Sequence, residues 1–569
     1  MELNYQLVKQ SESFTFDICI MGAGAAGIIC ASELRQKLPE LKICLIDSGD
    51  FSIKNPHNHS LRKLEFSDLE IKKNSREFTL GGATNTWGGV TASFEEFETQ
   101  GRPFLERSDW VIPIDKLKTF YKTAIEKYAF INTLESHKSE HPMFSHFTRR
   151  PFKAYSDAIN YAKYLRNDIN LIYNAHITGL HSAPMRHCVS HIEIENIESR
   201  VISKVYASRF ILALGTIETI KLLLNAQQKQ TFVVKNELKW LGRYFMNHPK
   251  GDYGSIEFHK YEEVNEFVGM GQHGLYQYTG ISLPLEKQRN LELLNSYIRL
   301  EPVYSWRNDY LVAQFINFLL ENKWVKKLFF RIYKNKKINM LDYSETGDSD
   351  QGQNLRKHSL MKSLKFLSLY LWHRLSNTKP KITTYKLRNF LEMEPRYNNR
   401  VTLSEKQDKF GNQQAKIQCS LSERDKNSVI ELHRALRRYL EENKLGVLYS
   451  QLDQESQWPI ADDASHHIGG TIMGASADDS FVDQNLRVHS QENLYICSSS
   501  VFPTSGSHNP TFTIAALACL LAEHIAEDLN SGTAAASQND HKNPSFNSQT
   551  RRGENVAAQE EQPSELVSH

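Results

Sequence analysis

Cysteine is scarce. The seven in 569 residues (Cys19, Cys30, Cys44, Cys188, Cys419, Cys497 and Cys519) are scattered, odd in number and without CxxC or CxxCH spacing. That pattern argues for reduced thiols over a disulfide framework, and against cysteine-held zinc or attached haem, so no metal site is expected. No run of eighteen uncharged apolar residues exists, so no segment reads as a bilayer span. Excess charge is lacking too. Lys and Arg total 68 against 66 Asp and Glu, a net charge of +2 that gives no reason to expect nucleic acid as a partner. Met1 to Phe16 has neither an apolar signal core nor twin arginines, and the expected location is the cytoplasm. There is no internal repeat.

The length accommodates a cofactor domain and a substrate domain. Phe16 to Ile20 is a mostly apolar strand, Ala25 to Leu38 reads as a helix, and Leu41 to Ile46 as a second strand ending at Asp47. The turn between the first strand and the helix is Gly22-Ala23-Gly24-Ala25-Ala26-Gly27. In that context Gly22 permits the tight turn, Gly24 lets backbone approach a pyrophosphate, and Gly27 allows close helix–strand packing. The helix N-terminus offers unpaired N–H groups to phosphate oxygens. Asp47 is positioned to accept from ribose hydroxyls. The motif alone does not separate FAD from NAD. Leu80-Gly81-Gly82-Ala83-Thr84-Asn85-Thr86-Trp87-Gly88-Gly89 helps, because two Gly-Gly pairs let backbone lie against a planar ligand at the far end of a long cofactor.

A further strand and turn, Arg209 to Gly215, precedes an apolar helix from Ile217 to Asn225. Ile169 to Ile177 and Val189 to Ala207 read as strands of a small sheet. Alternating segments between about 250 and 455, such as Asn399 to Leu403, predict an antiparallel sheet, and Glu423 to Glu442 an amphipathic helix. Residues 321–380 carry 13 Lys/Arg against 5 Asp/Glu, interleaved with Trp324, Phe329, Phe330, Tyr333, Phe366, Tyr370 and Trp372. This stretch reads as a solvated substrate-domain insertion, with a membrane-surface patch as the alternative. From Ser531 the composition predicts a disordered tail.

The chemistry concentrates near the end. His466-His467-Ile468-Gly469-Gly470-Thr471 is followed by Ser507-His508-Asn509-Pro510-Thr511. A histidine in a glycine-rich turn and an Asn-Pro at a helix entrance can bring a base and an amide to one reacting oxygen. An alcohol surrenders hydride readily only when its O–H proton has an acceptor. A neutral imidazole, with an ordinary pKa of about 6.5, can take that proton. An amide donor at Asn509 can stabilise developing alkoxide charge.

Several of these blocks, in order, resemble the glucose–methanol–choline (GMC) oxidoreductases, in the bacterial branch near fructose-type dehydrogenases and pyranose oxidases. They are the N-terminal dinucleotide motif, Gly81 to Gly89, Ala213 to Thr219, Gly242 to Pro249, Asn399 to Leu403 and the C-terminal block. The resemblance implies an α/β FAD-binding Rossmann-like domain with a second α+β substrate domain containing an antiparallel sheet. It divides the chain into 14–250, the first part of the FAD domain; 251–455, the substrate domain; 456–530, the C-terminal part of the FAD domain with the catalytic residues; and the 531–569 tail. His467 takes the place of the catalytic base in the His-x-x-Gly-Thr pattern, and Asn509 that of its partner. His466 is left to hydrogen-bond backbone or flavin, and His508 to pack nearby or to support a residue that contacts the ligand. Gly22, Gly24, Gly27, Asp47, Gly82, Thr84, Asn85, Gly88, Gly215, Ser499 and Thr511 are the cofactor-binding residues implied. Relatives that attach FAD covalently carry a histidine where this chain has Thr86, so the FAD is expected to be non-covalent. Ser498 stands where many relatives have an Asp.

The implied reaction is oxidation of an alcohol CH–OH, the primary hydroxyl of a sugar, polyol or aminoglycoside-like compound, to a carbonyl by hydride transfer to flavin N5. The partners are a small-molecule alcohol and an electron acceptor, which is oxygen, a quinone or a protein. The alternatives are a lyase or decarboxylase on the same scaffold, a non-catalytic membrane-associated FAD-binding protein, and a sterol oxidase that no residue favours.

Overall fold

A computed structural model describes residues 1–540 except 55–57, 73–74, 88, 133, 135–147, 150–152, 156–158, 160, 166–167, 184–186, 269, 273–274, 307–308, 323, 325–355, 377–379 and 454–464. Met1–His524 forms one compact unit and Ile525–His569 a second, the latter described as the end of the last helix as far as Asp540.

The first sheet has eight strands: β1 (Glu2–Asn4), β2 (Ser13–Met21), β3 (Ile43–Ile46), β4 (Asn170–Tyr173), β5 (Ala175–Ser182), β6 (Val189–Asn196), β7 (Ile202–Leu212) and β8 (Leu494–Ile496). Their order is β1-β4-β3-β2-β7-β6-β5, with β8 also on β7. The pairs from β1 to β7 and the β7–β8 pair are parallel, whereas β7–β6 and β6–β5 are antiparallel. Ile18 to Met21 and Ile43 to Ile46 are wholly buried. Such unbroken apolar runs, without polar alternation, belong to strands covered on both faces. Helix α1 (Ala25–Lys37) leaves the end of β2 and helix α2 (Thr216–Gln228) the end of β7.

Residues 169–207 form strands as expected, but in the eight-stranded sheet rather than a small one. The strand β4 enters the parallel core beside β3, and β5 and β6 extend the same sheet through the eleven-residue β7. Local periodicity gives a strand its faces but not its neighbours.

The middle of the chain supplies a six-stranded antiparallel sheet in the order Gly446–Ser450, Lys250–Phe258, Thr384–Phe390, Tyr297–Pro302, Ile281–Ser282, Thr148–Arg149. Helix Glu423–Glu442 starts at a capping box between Ser422 and Asp425 and buries Leu432, Leu436 and Leu440 in that sheet's core. The Asn399–Leu403 alternation does form an antiparallel hairpin, Arg400–Gln407 with Gln413–Cys419, but not in this sheet. It makes a three-stranded sheet with Glu65–Asp68, and Gln413 O accepts from Asn225 Nδ2 on α2 at 3.0 Å. The last helix, Thr511–Asp540, runs past residue 531, where the tail was set, and 541–569 lies outside the described residues. Among the described residues no helix is long and apolar enough to cross a membrane.

Candidate active site

The two glycine-rich segments meet. Gly22 is left-handed (φ 103°), and a Cβ there would lie 2.5 Å from Ala213 O. A Cβ on Gly27 would lie 1.9 Å from Gly22 O, so the turn closes only on bare backbone. Gly81 N donates to Ala23 O at 2.7 Å, and a Cβ on Gly82 would sit 3.0 Å from Gly24 Cα. By contrast, a Cβ on Gly24 or Gly215 would meet nothing within 4 Å. These glycines head α1 and α2, and both face open space at helix N-termini where an anion is favoured.

Asp47 follows β3 and braces this turn. Its Oδ2 accepts from Ala23 N at 2.7 Å and its Oδ1 from Gly49 N at 2.8 Å. Burial pushes its carboxyl up to about 6, against the lowering effect of those two N–H groups. Each oxygen keeps a second lone pair for a ribose hydroxyl. Beside Asp47 and Gly215 a small cavity is lined by Ser48, Phe78, His176, Ile177, Leu214 and Glu218, among others. His176 bonds Ser48 Oγ through Nδ1 at 3.0 Å, stacks on Phe410, and is held neutral, its pKa lowered by burial to about 3. Sequence reasoning missed this cavity, since no spacing joins Ser48 to His176. Two bare helix N-termini and a braced acidic residue fit the diphosphate and ribose of a dinucleotide.

Thr84 and Asn85 spend their side chains on the loop itself. Thr84 Oγ1 donates to Gly81 O at 2.7 Å and accepts from Ile159 N at 3.1 Å, while Asn85 Nδ2 donates to Leu80 O and Gly82 O. They shape the loop rather than project donors from it. Gly88 lies outside the described residues. Thr86 is exposed, with its hydroxyl 3.3 Å from Glu77 Oε1.

The C-terminal segments are laced to this cradle. His467 O accepts from Thr216 Oγ1 at 2.6 Å and from Ser499 Oγ at 2.7 Å, so the residue after Gly215 anchors the His467 backbone. Gly469 N and Thr471 N donate to Ser499 O and Ser500 O, and Ile468 bridges Met246. The His467 ring is buried and stacks on Phe245 at 6.0 Å. His466 has a different partner: its Nδ1 lies 3.1 Å from His248 Nδ1. His248 Nε2 donates to Ser505 O and Gly506 O, so in its neutral form His248 Nδ1 accepts and the His466 proton is committed to it. Asn509 reaches the other way, Nδ2 donating to Val90 O just past the second glycine segment. Thr511 opens the last helix, part-buried.

His508 is tied to a buried carboxylate. It is wholly buried, and its Nδ1 lies 2.8 Å from Glu98 Oε2. Glu98 also accepts from Ser507 N, Ser507 Oγ, Asn295 Nδ2 and Glu95 N, a donor set suited to a carboxylate. The His508 Nε2 is buried with no hydrogen-bond partner among the described residues. Glu98 was missed because its partner lies 410 positions away; an acidic residue between Phe94 and Phe97 on one side and Thr99 on the other was the available hint. Six of the seven cysteines are buried and none forms a disulfide; burial raises the Cys497 thiol to about 12.

Residues 395–518 match the family model described as GMC oxidoreductase. The fructose dehydrogenase large subunit of Gluconobacter japonicus is 43% identical over 68 residues, a match spanning 12% of this chain and 12% of that protein. Among solved structures, a formate oxidase of Aspergillus oryzae RIB40, studied for FAD modification, superposes with a TM-score of 0.53 at 14% identity, covering 92% of this chain and all of that one. A second formate oxidase structure gives 0.53 at 15% identity with the same coverage. The fold is therefore the GMC oxidoreductase fold, a mixed, largely parallel sheet beside an antiparallel one. Within residues 395–518, which include His467 and Asn509, the chain is thus similar to GMC oxidoreductases.

Proposed function

We propose that this protein is an FAD-dependent oxidoreductase that converts a CH–OH group of a polyhydroxylated compound, a sugar or sugar alcohol, to a carbonyl. The observation that carries the reading is the double anchor on His467 O. Thr216, heading the helix after Gly215, and Ser499 fix the histidine backbone to the nucleotide cradle. A base tied to the cofactor-binding frame holds its distance to the cofactor without a separate hinge. The match to a fructose dehydrogenase subunit supports a sugar-like substrate.

FAD, when bound, supplies the two-electron acceptor. Gly22, Gly24, Gly27, Asp47, Gly82 and Gly215 would hold its nucleotide half, and Ser499 and Thr511 border the C-terminal side. His467 takes the substrate hydroxyl proton, and Asn509 keeps one amide hydrogen beyond its bond to Val90 O for the developing oxyanion. His466, committed to His248, orients the wall instead. The cofactor is non-covalent, because a threonine hydroxyl at position 86 offers no imidazole for a link; acid precipitation should release all flavin into the supernatant.

An anaerobic absorbance scan against sugars, polyols, aminoglycosides and simple alcohols tests the reading. Bleaching of the flavin by a polyhydroxylated compound supports it. Bleaching by none, with the protein yellow and folded, sinks alcohol oxidation in favour of lyase chemistry or a non-catalytic role.

One observation favours a peripheral membrane contact as well. Trp324, Met361 and Trp372 are 87%, 82% and 63% exposed, and the helix that carries the last two also carries Lys362 and Lys365. Apolar rings beside ammonium groups suit an anionic bilayer surface. Co-sedimentation with phosphatidylserine vesicles, lost in Trp324→Ala/Met361→Ala/Trp372→Ala, checks it; equal sedimentation of both proteins would exclude it.

A further inference from the structure

Far from the nucleotide turn in sequence, the edge of the first sheet carries an arrangement that alcohol oxidation does not use. Its outermost strands, β5 and β6, place His181 directly opposite His191. Glu193, two residues along β6, points to the same face and stands opposite Gly179. The imidazoles stack with centroids 4.4 Å apart and planes inclined by 6°. His181 Nε2 lies 3.3 Å from Glu193 Oε2, and one ligating atom from each residue falls within 4.8 Å of the others. Gly179 makes the space, because a Cβ there would stand 2.8 Å from His181 Nε2 and 2.9 Å from Glu193 Oε2.

The hydrogen bonds fix one tautomer. Ser190 Oγ donates its single hydrogen to His181 O at 3.1 Å, so it can only accept from His191 Nδ1, 2.9 Å away. His191 therefore carries its proton on Nδ1 and a lone pair on Nε2. His191 Nε2 is buried and without a hydrogen-bond partner among the described residues, and His181 Nε2, also buried, faces Glu193 Oε2. A hydroxyl that sets the outer nitrogen and leaves the inner one bare is the arrangement metal-ligating histidines use. An ion pair between His181 and Glu193 would account for two of the three residues and would leave the second imidazole stacked face to face without a purpose.

We propose that His181, His191 and Glu193 bind one divalent transition-metal ion of the zinc, cobalt or copper class. Two neutral imidazoles and one carboxylate are the donor set such ions take, and water completes a tetrahedron. Donors on one such ion lie about 3.4 Å apart. The His181–Glu193 pair already has that spacing, and the third donor atom lies within 4.8 Å of both. Lys204 stands opposite Glu193 on β7, a positive charge that competes with a bound cation. No cysteine takes part, which is why thiol spacing could not reveal it.

The test uses tag-free full-length protein stripped with a chelator and titrated with Co²⁺ by visible absorption and with Zn²⁺ by calorimetry. One equivalent is expected to bind at about micromolar concentration or below, with the intense visible bands of a tetrahedral cobalt site. His181→Gln and Glu193→Gln should each weaken binding about 100-fold or more, and Ser190→Ala about tenfold, because it releases the ring rather than removing a ligand. Lys204→Met should tighten it, and Cys188→Ser, a nearby thiol outside the cluster, should change nothing. Uptake unaltered by His181→Gln, by Glu193→Gln or by Ser190→Ala overturns the assignment, as does the absence of stoichiometric binding by the unaltered protein. Far-ultraviolet circular dichroism on each variant separates loss of the ion from loss of the sheet.

Discussion

Gly24→Val separates cofactor binding from folding more cleanly than any other single change. The residue has φ −76° and ψ −172°, extended backbone open to valine, and a Cβ there meets no protein atom within 4 Å. Its carbonyl accepts from Ile28 N at 3.0 Å and needs no side chain to do so. Losing glycine at an N-cap costs up to about 1 kcal/mol, and the stiffer unfolded chain returns about 0.4–1 kcal/mol, so apoprotein stability should move by less than about 1 kcal/mol. The cofactor meets a different outcome. If the isopropyl group holds the diphosphate away from two N–H groups at the α1 N-terminus, two charge-assisted bonds of about 1.5–3 kcal/mol each are lost. Together they correspond to an FAD Kd raised by about 10² to 10⁴. Urea unfolding of apoprotein and quenching of flavin fluorescence on titration measure the two quantities separately. Gly27→Ala is the contrast, because its Cβ would fall 1.9 Å from Gly22 O and should cost the apoprotein about 1–3 kcal/mol or more. A Gly24→Val protein that holds FAD within threefold of the original refutes the nucleotide cradle.

Arg102 and Glu392 form a buried two-pronged pair at 2.6 and 2.9 Å. Arg102→Met strands the carboxylate and should destabilise by about 3–5 kcal/mol in urea, whereas Arg102→Met/Glu392→Gln should recover most of it, since glutamine still accepts from Asn295 N. Asp47 titrates near 6 when folded and near 3.8 when unfolded. The folded protein thus keeps a proton that the unfolded chain releases; that stabilisation is complete below pH 3.8 and lost as pH rises through 6, by at most about 3 kcal/mol. The stability of apoprotein relative to Asp47→Asn should accordingly fall between pH 4 and 6.5, and a flat difference would place the carboxyl in water. His467→Ala should stay yellow and lose substrate-driven flavin reduction by about 10²- to 10⁴-fold, read by stopped-flow absorbance.

What the sequence disclosed was local. Ile18 to Met21 and Ile43 to Ile46 are apolar without alternation, and the glycines between them fit only a tight βα turn, so the nucleotide unit stood out. The amphipathic pattern of Glu423 to Glu442 marked that helix, and the Ser422–Asp425 capping box closes its start. Pairings across long stretches of chain left no local trace. Nothing in residues 400–419 indicates that Gln413–Cys419 will lie beside Glu65–Asp68, and nothing near position 98 announces His508. The same holds for side-chain duty. Asn85 reads as a donor awaiting a ligand, yet both its amide hydrogens are engaged by Leu80 O and Gly82 O. Residue type lists what a side chain can bond; only the assembled neighbours decide what it does bond.

The double use of β7 constrains how the protein is made. Its first half pairs with β6, residues 202–206 against 191–195, while Phe210–Leu212 takes β8 at 494–496 along the same edge. Translation of residues 213–493 occupies roughly 15–60 s at ordinary elongation rates. Throughout that interval the nascent sheet presents an unpaired apolar edge, at the strand end from which Gly215 and the nucleotide-binding helix emerge. Such an edge is a template for another chain. Soluble yield should therefore fall with crowding of nascent chains on one message, and a chain stopped before Leu494 would keep the edge open for its whole lifetime.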